Sequence, residues 1–216
     1  MTGLKAIGFD LDNTLYLPID ELNGMIRRDI AKEVVKRKPG LGDVNEVFEL
    51  CCEQYDILQS WSAVLAALEI KDTSFIEACT SNENILEFLS PDDDVCRLLD
   101  ELTIHFTMFL VTNSPREFAL EKLEKLAITT EYFSEMRFGD DSNATPKSDG
   151  AVFARLIEET DMVPSRTIFV GDSLRSDILP AKAASMITAM ISDTRVEGPD
   201  YIISRLAELR GICSLV

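Results

Sequence analysis

Short apolar runs recur along this chain at wide intervals and stop at polar residues. Leu4–Phe9 ends at Asp10, and similar runs occupy Phe106–Val111, Thr167–Val170 and Met186–Ile191. Runs that are mainly apolar, rather than alternating, predict strands buried on both faces of a parallel sheet. Between them, Pro115–Leu126 and Asp149–Glu159 carry apolar residues at helical spacing. Strands alternating with amphipathic helices predict an α/β layered fold with a mostly parallel sheet.

One region breaks the alternation. From about Ile19 to Leu89 the pattern is helical and contains no convincing strand, which predicts a helical insertion. Its helices should cover Glu21–Lys38, Asp43–Leu58, Ser60–Leu68 and Phe75–Leu89, with Lys38-Pro39-Gly40-Leu41-Gly42 as a breaker between the first two. Residues 17–89 are therefore expected to form one unit, and residues 1–16 with 90–216 another.

Composition narrows the function. A length of 216 residues with 46% hydrophobic content is enough for one generous core, or a core plus a small accessory unit. The 21 Lys and Arg stand against 38 Asp and Glu, and the net charge of −17 argues against nucleic-acid polymers and anionic membrane surfaces as partners. The same field repels phosphorylated molecules, so a site handling phosphate needs a local lysine or divalent cation to invert it. Five cysteines without a CxxC pair, and no basic-then-apolar leader, read as free thiols in a cytoplasmic protein. No apolar run approaches the ~20 residues of a spanning helix, and the oligomeric state is left open.

Polar groups collect after the predicted strands: Asp10 and Asp12, then Thr112-Asn113-Ser114, then Gly171-Asp172-Ser173. That edge of an open α/β sheet is where ligands bind. One such carboxylate is ordinarily a cap or turn residue. Three clusters at one edge favour a site. In an extended chain Asp10 and Asp12 point the same way and can address one substrate atom. A carboxylate can attack phosphorus, splitting hydrolysis into two steps, while a second carboxyl protonates the leaving oxygen and then activates water.

These residues bring a specific resemblance. Asp10-x-Asp12-x-Thr14 after an apolar strand resembles the first motif of the haloacid dehalogenase superfamily, and Phe109-Leu110-Val111-Thr112-Asn113 the second. Pro146-Lys147 with Phe153 is similar to the third, with Ser148 and Gly150 where prolines are common; Lys5 and Lys71 lie outside any such context. Ile168-Phe169-Val170-Gly171-Asp172-Ser173, with Asp177 four residues beyond Ser173, resembles the fourth.

The resemblance implies a Rossmann-like doubly wound parallel sheet, with a mobile helical cap inserted after the first strand. It implies Asp10 as nucleophile and Mg²⁺ ligand, and Asp12 as general acid/base with its backbone carbonyl on the metal. Asp172 would be the third protein ligand, with Asp177 behind it or bound through water. Lys147 would neutralise the phosphoryl group, and Thr112 with the Asn113 backbone N–H would donate to its oxygens. Such an oxygen-rich site suits Mg²⁺. An acid at Asp12 separates phosphatases from the superfamily's dehalogenases.

Tyr16, the helical insertion and Asp200-Tyr201-Ile202-Ile203-Ser204 look most like the pyrimidine 5′-nucleotidase group. The expected activity is a phosphomonoesterase acting on a small phosphorylated metabolite, with a nucleoside 5′-monophosphate as substrate. A sugar-phosphate or phosphoglycolate-type phosphatase, a phosphomutase and a non-catalytic binding protein are the alternatives. His105, the single histidine, is expected to start a strand rather than act as a base.

Overall fold

A computed structural model of the chain describes residues 3–58, 60–81 and 83–213. The chain divides into two compact units, Met1–Pro18 with Leu89–Val216, and Ile19–Phe88.

The first strand, β1 (Ala6–Phe9), leads into α1 (Asp20–Arg37), α2 (Val44–Leu58), α3 (Trp61–Ala67) and α4 (Phe75–Thr80). After these come α5 (Asp93–Thr103), β2 (Thr107–Val111), α6 (Arg116–Lys125), β3 (Phe133–Arg137), α7 (Ala151–Glu159) and β4 (Thr167–Gly171). The described chain closes with α8 (Leu179–Ala183), β5 (Ile187–Ile191), β6 (Tyr201–Ile203) and α9 (Leu209–Cys213).

Among the described residues six strands form one parallel sheet in the order β3-β2-β1-β4-β5-β6. The order runs outward from β1 both ways, which opens a crevice at the carboxyl ends of β1 and β4. Phe9 pairs with Leu110 on one side and Val170 on the other, so the chain leaves β1, β2 and β4 at one level. On one face Ala6, Phe109, Val111 and Phe169 pack with Val152, Phe153 and Leu156 of α7 and Ala181 of α8. Ile7, Phe9, Met108, Leu110, Ile168 and Val170, on the other, are buried too. Burial on both faces is why these strands read as continuous apolar runs.

The sequence pattern does not announce β3 and β6. Both are edge strands; β3 is buried only at Phe133, and β6 has three residues. Phe-Ser-Glu-Met-Arg is largely polar because it has little to bury, and Tyr-Ile-Ile, though apolar, is too short to stand out as a strand. His105 lies exposed in the turn between α5 and β2, its N–H bonded to Leu102, rather than at the start of the strand. Asp92 caps α5, accepting from the N–H of Asp94 at 2.8 Å and of Val95 at 3.4 Å.

In the unit Ile19–Phe88, Ile30, Ala31 and Val34 of α1 pack with Val47 and Cys51 of α2, Leu65 of α3, and Phe75 and Cys79 of α4. Pro39–Leu41 form a single 3₁₀ turn between α1 and α2. The helix expected over Phe75–Leu89 is instead α4 followed by a 3₁₀ turn at Glu83–Phe88. Thr80 Oγ1 bonds back to the Ile76 carbonyl at 2.9 Å, a local partner that competes with helix continuation. All five cysteines are free. No helix among the described residues is long and apolar enough to cross a membrane.

Candidate active site

Asp10 follows β1 and is 5% exposed. Its N–H donates to the Val170 carbonyl at 2.9 Å, extending the β1–β4 ladder by one bond and fixing the residue at the mouth of the crevice. The chain then turns: Leu15 N–H reaches back to the Leu11 carbonyl at 3.0 Å, and Asn13 takes a left-handed φ of 57°. Leu11 and Leu15 are fully buried and anchor the turn. Asn13 Nδ2 donates to Asp172 Oδ2 at 3.3 Å, tying the loop after β1 to the loop after β4.

Lys147, 3% exposed, reaches the same point from a one-turn 3₁₀ helix, Lys147–Asp149. Its Nζ donates to Asp10 Oδ1 at 2.5 Å and to Asp177 Oδ1 at 2.6 Å. Burial opposes the charge on Lys147, but Asp10 and Asp177 outweigh it and raise its pKa. Of the two departures from proline around it, the one at Gly150 has a conformational reason. Gly150 ends the turn at φ 80°, which a proline cannot adopt, and begins α7. Phe153 then packs edge-on against Phe169, with ring centroids 4.8 Å apart, and holds the loop on the sheet.

Asp177, fully buried, comes from a single π-helical turn at Leu174–Ile178. Its Oδ2 accepts the Ser173 N–H at 3.0 Å. Any side chain at position 171 would collide with it, since a Cβ there would lie 2.4 Å from Asp177 Cβ. Glycine at 171 is thus what lets Asp177 tuck beneath the end of β4.

Oxygen atoms of Asp10, Asp172 and Asp177 lie within 4.8 Å of one another. Burial pushes the Asp172 carboxyl up to about 7, with Asp177 adding to it, and Asp10 is raised by burial against the opposing pull of Lys147. Among the described residues Lys147 pairs with Asp10 and Asp177 and Lys122 with Asp12, two ammonium groups against these three acids and Asp172. The two missing positive charges equal the charge of one divalent cation, and hard carboxylate donors suit Mg²⁺. The residues fit such an ion.

Asp12 stands apart from this cluster. Its Oδ1 accepts from Tyr16 OH at 2.7 Å and from Lys122 Nζ at 2.5 Å, and its Oδ2 from Ser114 Oγ at 2.7 Å. Burial raises its pKa, but Lys122 and these hydrogen bonds prevail and lower it. Lys122 escapes sequence reasoning because it looks like a surface lysine of α6. The signal was its register, which puts it on the buried stripe with Phe118, Ala119 and Leu123.

Thr112 is buried, and its Oγ1 accepts the Ser114 N–H at 3.0 Å, which leaves the hydroxyl proton available to a ligand. Asn113 Oδ1 accepts the Lys147 N–H at 3.1 Å. Lys147 thus joins Asp10 and Asp177 directly, Asp172 stands within 4.8 Å of both acids, and Asn113 joins its loop to that of Lys147. Chemically, the arrangement offers a buried carboxylate whose Oδ2, among the described residues, is held only by a 3.5 Å contact from Thr14, next to an ammonium and a cation-ready acid cluster.

Comparison with known proteins agrees with this geometry. Residues 4–185 match the sequence profile of haloacid dehalogenase-like hydrolases. The chain is similar to a phosphoglycolate phosphatase of Vibrio vulnificus, 25% identical over 95% of this chain and 94% of that protein. It is also similar to the N-acylneuraminate-9-phosphatase of Rattus norvegicus, 24% identical over 97% and 93%. Among solved structures, a HAD phosphatase from Thermococcus onnurineus superposes with a TM-score of 0.65 at 25% identity, covering 97% of this chain and 98% of that one. With four loops converging where β1 and β4 end, and a profile match across most of its length, the chain belongs to the haloacid dehalogenase-like hydrolase family.

Proposed function

We propose that the protein is a Mg²⁺-dependent phosphomonoesterase working through a phosphoaspartate at Asp10, and that its substrate is a phosphorylated hydroxy acid or sugar. The observation that carries the chemistry is the buried Asp10–Lys147–Asp177 chain beside Asp172. Lys147 favours the ionised form of Asp10 against the pull of burial through an ion pair at Oδ1, and Oδ2, in a 3.5 Å contact with Thr14, is the oxygen proposed to attack. Asp10 attacks phosphorus, the P–O bond to the leaving group breaks, and Asp12 gives that oxygen its proton. Asp12 then takes a proton from the water that attacks phosphorus, releasing phosphate and restoring Asp10.

Thr112 Oγ, the Asn113 N–H and Lys147 Nζ stabilise the equatorial oxygens, where transition-state charge resides. Asp10, Asp172 and the Asp12 backbone carbonyl would hold Mg²⁺, which when bound neutralises the phosphoryl oxygens and the acid cluster. Asp177 orients Lys147 and the loop of Ser173. These groups belong to the sheet unit; residues 17–89 are proposed to be a cap that selects the leaving group.

The substrate class rests on the relatives, which are named for phosphoglycolate and N-acylneuraminate 9-phosphate. They support this reading better than the nucleoside monophosphate expected from Tyr16 and the chain's last strand. Purified protein with Mg²⁺ should release phosphate from phosphoglycolate or sugar phosphates faster than from nucleoside 5′-monophosphates. A preference for nucleotides would overturn the substrate class. Interconversion of sugar phosphates without phosphate release would replace hydrolase by mutase.

A further inference from the structure

Lys122 is a charge where the fold does not call for one. Its position on α6 lies on the stripe that buries Phe118, Ala119 and Leu123, and the side chain is 3% exposed. Leucine or methionine would serve that stripe, and an ammonium withdrawn from water is tolerated only with a partner. The partners are all on one side: Asp12 Oδ1 at 2.5 Å and Ser114 Oγ at 3.1 Å, with the Phe118 ring 4.5 Å from the nitrogen. Ser114 completes a closed triangle, since its hydroxyl donates to Asp12 Oδ2 at 2.7 Å while its N–H bonds to Thr112 Oγ1. Asp12 is therefore gripped at both oxygens, from a helix and loop more than a hundred residues away in sequence.

We propose that Lys122 and Ser114 form a clamp that positions the Asp12 carboxylate for proton exchange, first with the leaving oxygen and then with water. This rests on the acid/base reading of Asp12 above. Lys122 touches neither Asp10 nor the Asp172–Asp177 cluster among the contacts seen, so it acts through Asp12 and is a positioning residue. Proton transfer requires heavy atoms within hydrogen-bond reach, and a misplacement of about 1 Å costs on the order of 10²-fold in rate. A carboxylate freed from the clamp samples other rotamers and loses that alignment.

The test is a double-mutant cycle on the full chain with Mg²⁺ and nitrophenyl phosphate, which needs little leaving-group protonation. Lys122→Met keeps the length and removes the charge. It should lower kcat about tenfold to a hundredfold and KM in parallel, with kcat/KM changed less than about threefold, and phosphoenzyme should accumulate after one burst of nitrophenol. In an Asp12→Asn background the same substitution should have no further effect, because the group it positions is gone. Lys122→Arg should recover part of the loss.

If Lys122→Met is not recovered folded, Ser114→Ala carries the same cycle with the same expectation. Parental kcat in a folded single variant, or full multiplication of the losses in the double variant, overturns the clamp. Parental turnover by Asp12→Asn alone removes the acid/base reading, and the clamp with it. A crippled Asp12→Asn beside an unaffected Lys122→Met leaves that reading standing and removes only the clamp.

Discussion

Asp177 never meets Asp10 through a hydrogen bond, yet both grip the same Lys147 nitrogen, at 2.6 and 2.5 Å. Asp177 uses its other oxygen on the Ser173 N–H, so one carboxylate sets the lysine and the loop that carries Asp172. Asparagine has a single acceptor oxygen and can satisfy only one of these donors. Asp177→Asn should cost about 1–3 kcal/mol in stability, and should raise the Mg²⁺ needed for half-maximal activity by about tenfold or more. Urea unfolding and an Mg²⁺ titration check both, and an unchanged Mg²⁺ requirement would detach Asp177 from the metal site.

Asp10→Asn should leave a folded protein without turnover. The amide is a poor nucleophile, though its oxygen can still accept from Lys147. Activity should fall below about a hundredth of the parent, since loss of a nucleophile exceeds the ~10²–10⁴-fold ascribed to acid–base help. Residual activity above that level, in protein free of parental contamination, would end the phosphoaspartate mechanism.

The acid cluster should make the fold responsive to Mg²⁺ without substrate. An ion present at a hundred times its Kd adds about 2.7 kcal/mol, worth roughly 5–10 °C in Tm for a chain this size. Differential scanning fluorimetry in EDTA and then excess Mg²⁺ should show that rise, and Asp172→Asn should shrink it. An unmoved parental Tm would mean that Asp10 and Asp172 do not bind the ion.

Without metal, pH should act through Asp172. Its carboxyl is pushed from an ordinary 3.8 to about 7 by burial and by Asp177, and Asp10 moves the same way. The folded state then holds protons that the unfolded chain has released, so this contribution to stability is complete below 3.8 and is lost as pH rises through about 7. In EDTA, the Tm of the parent relative to Asp172→Asn should therefore fall between those two values. A difference that is flat, or rises with pH, would contradict the shift.

Much of this was legible in the residues because burial and chemistry coincide there. β1, β2, β4 and β5 are covered on both faces and therefore read as unbroken apolar runs, and the acids at their ends mark the crevice. The helical insertion follows from periodicity alone. The edge strand β3 was silent because an edge buries too little to enforce a pattern, and β6 because three residues are too few to show one. Lys122 was silent for a different reason, since its meaning depends on Asp12, to which the chain brings it only in three dimensions. The leaving group was equally illegible, because no local spacing encodes it.

The left-handed turn at Asn13, which ties the loop after β1 to Asp172, has a kinetic consequence. Asn13 and Asp172 are 159 residues apart, and Asp10 and Lys147 are 137 apart. Contacts of such separation must pay their loop-closure entropy before they stabilise anything, so they form slowly. Neither half of the sheet holds a complete set of reacting groups, so enzymatic activity in a refolding experiment should return only once β1 is paired with both β2 and β4, and can serve as a clock for that step.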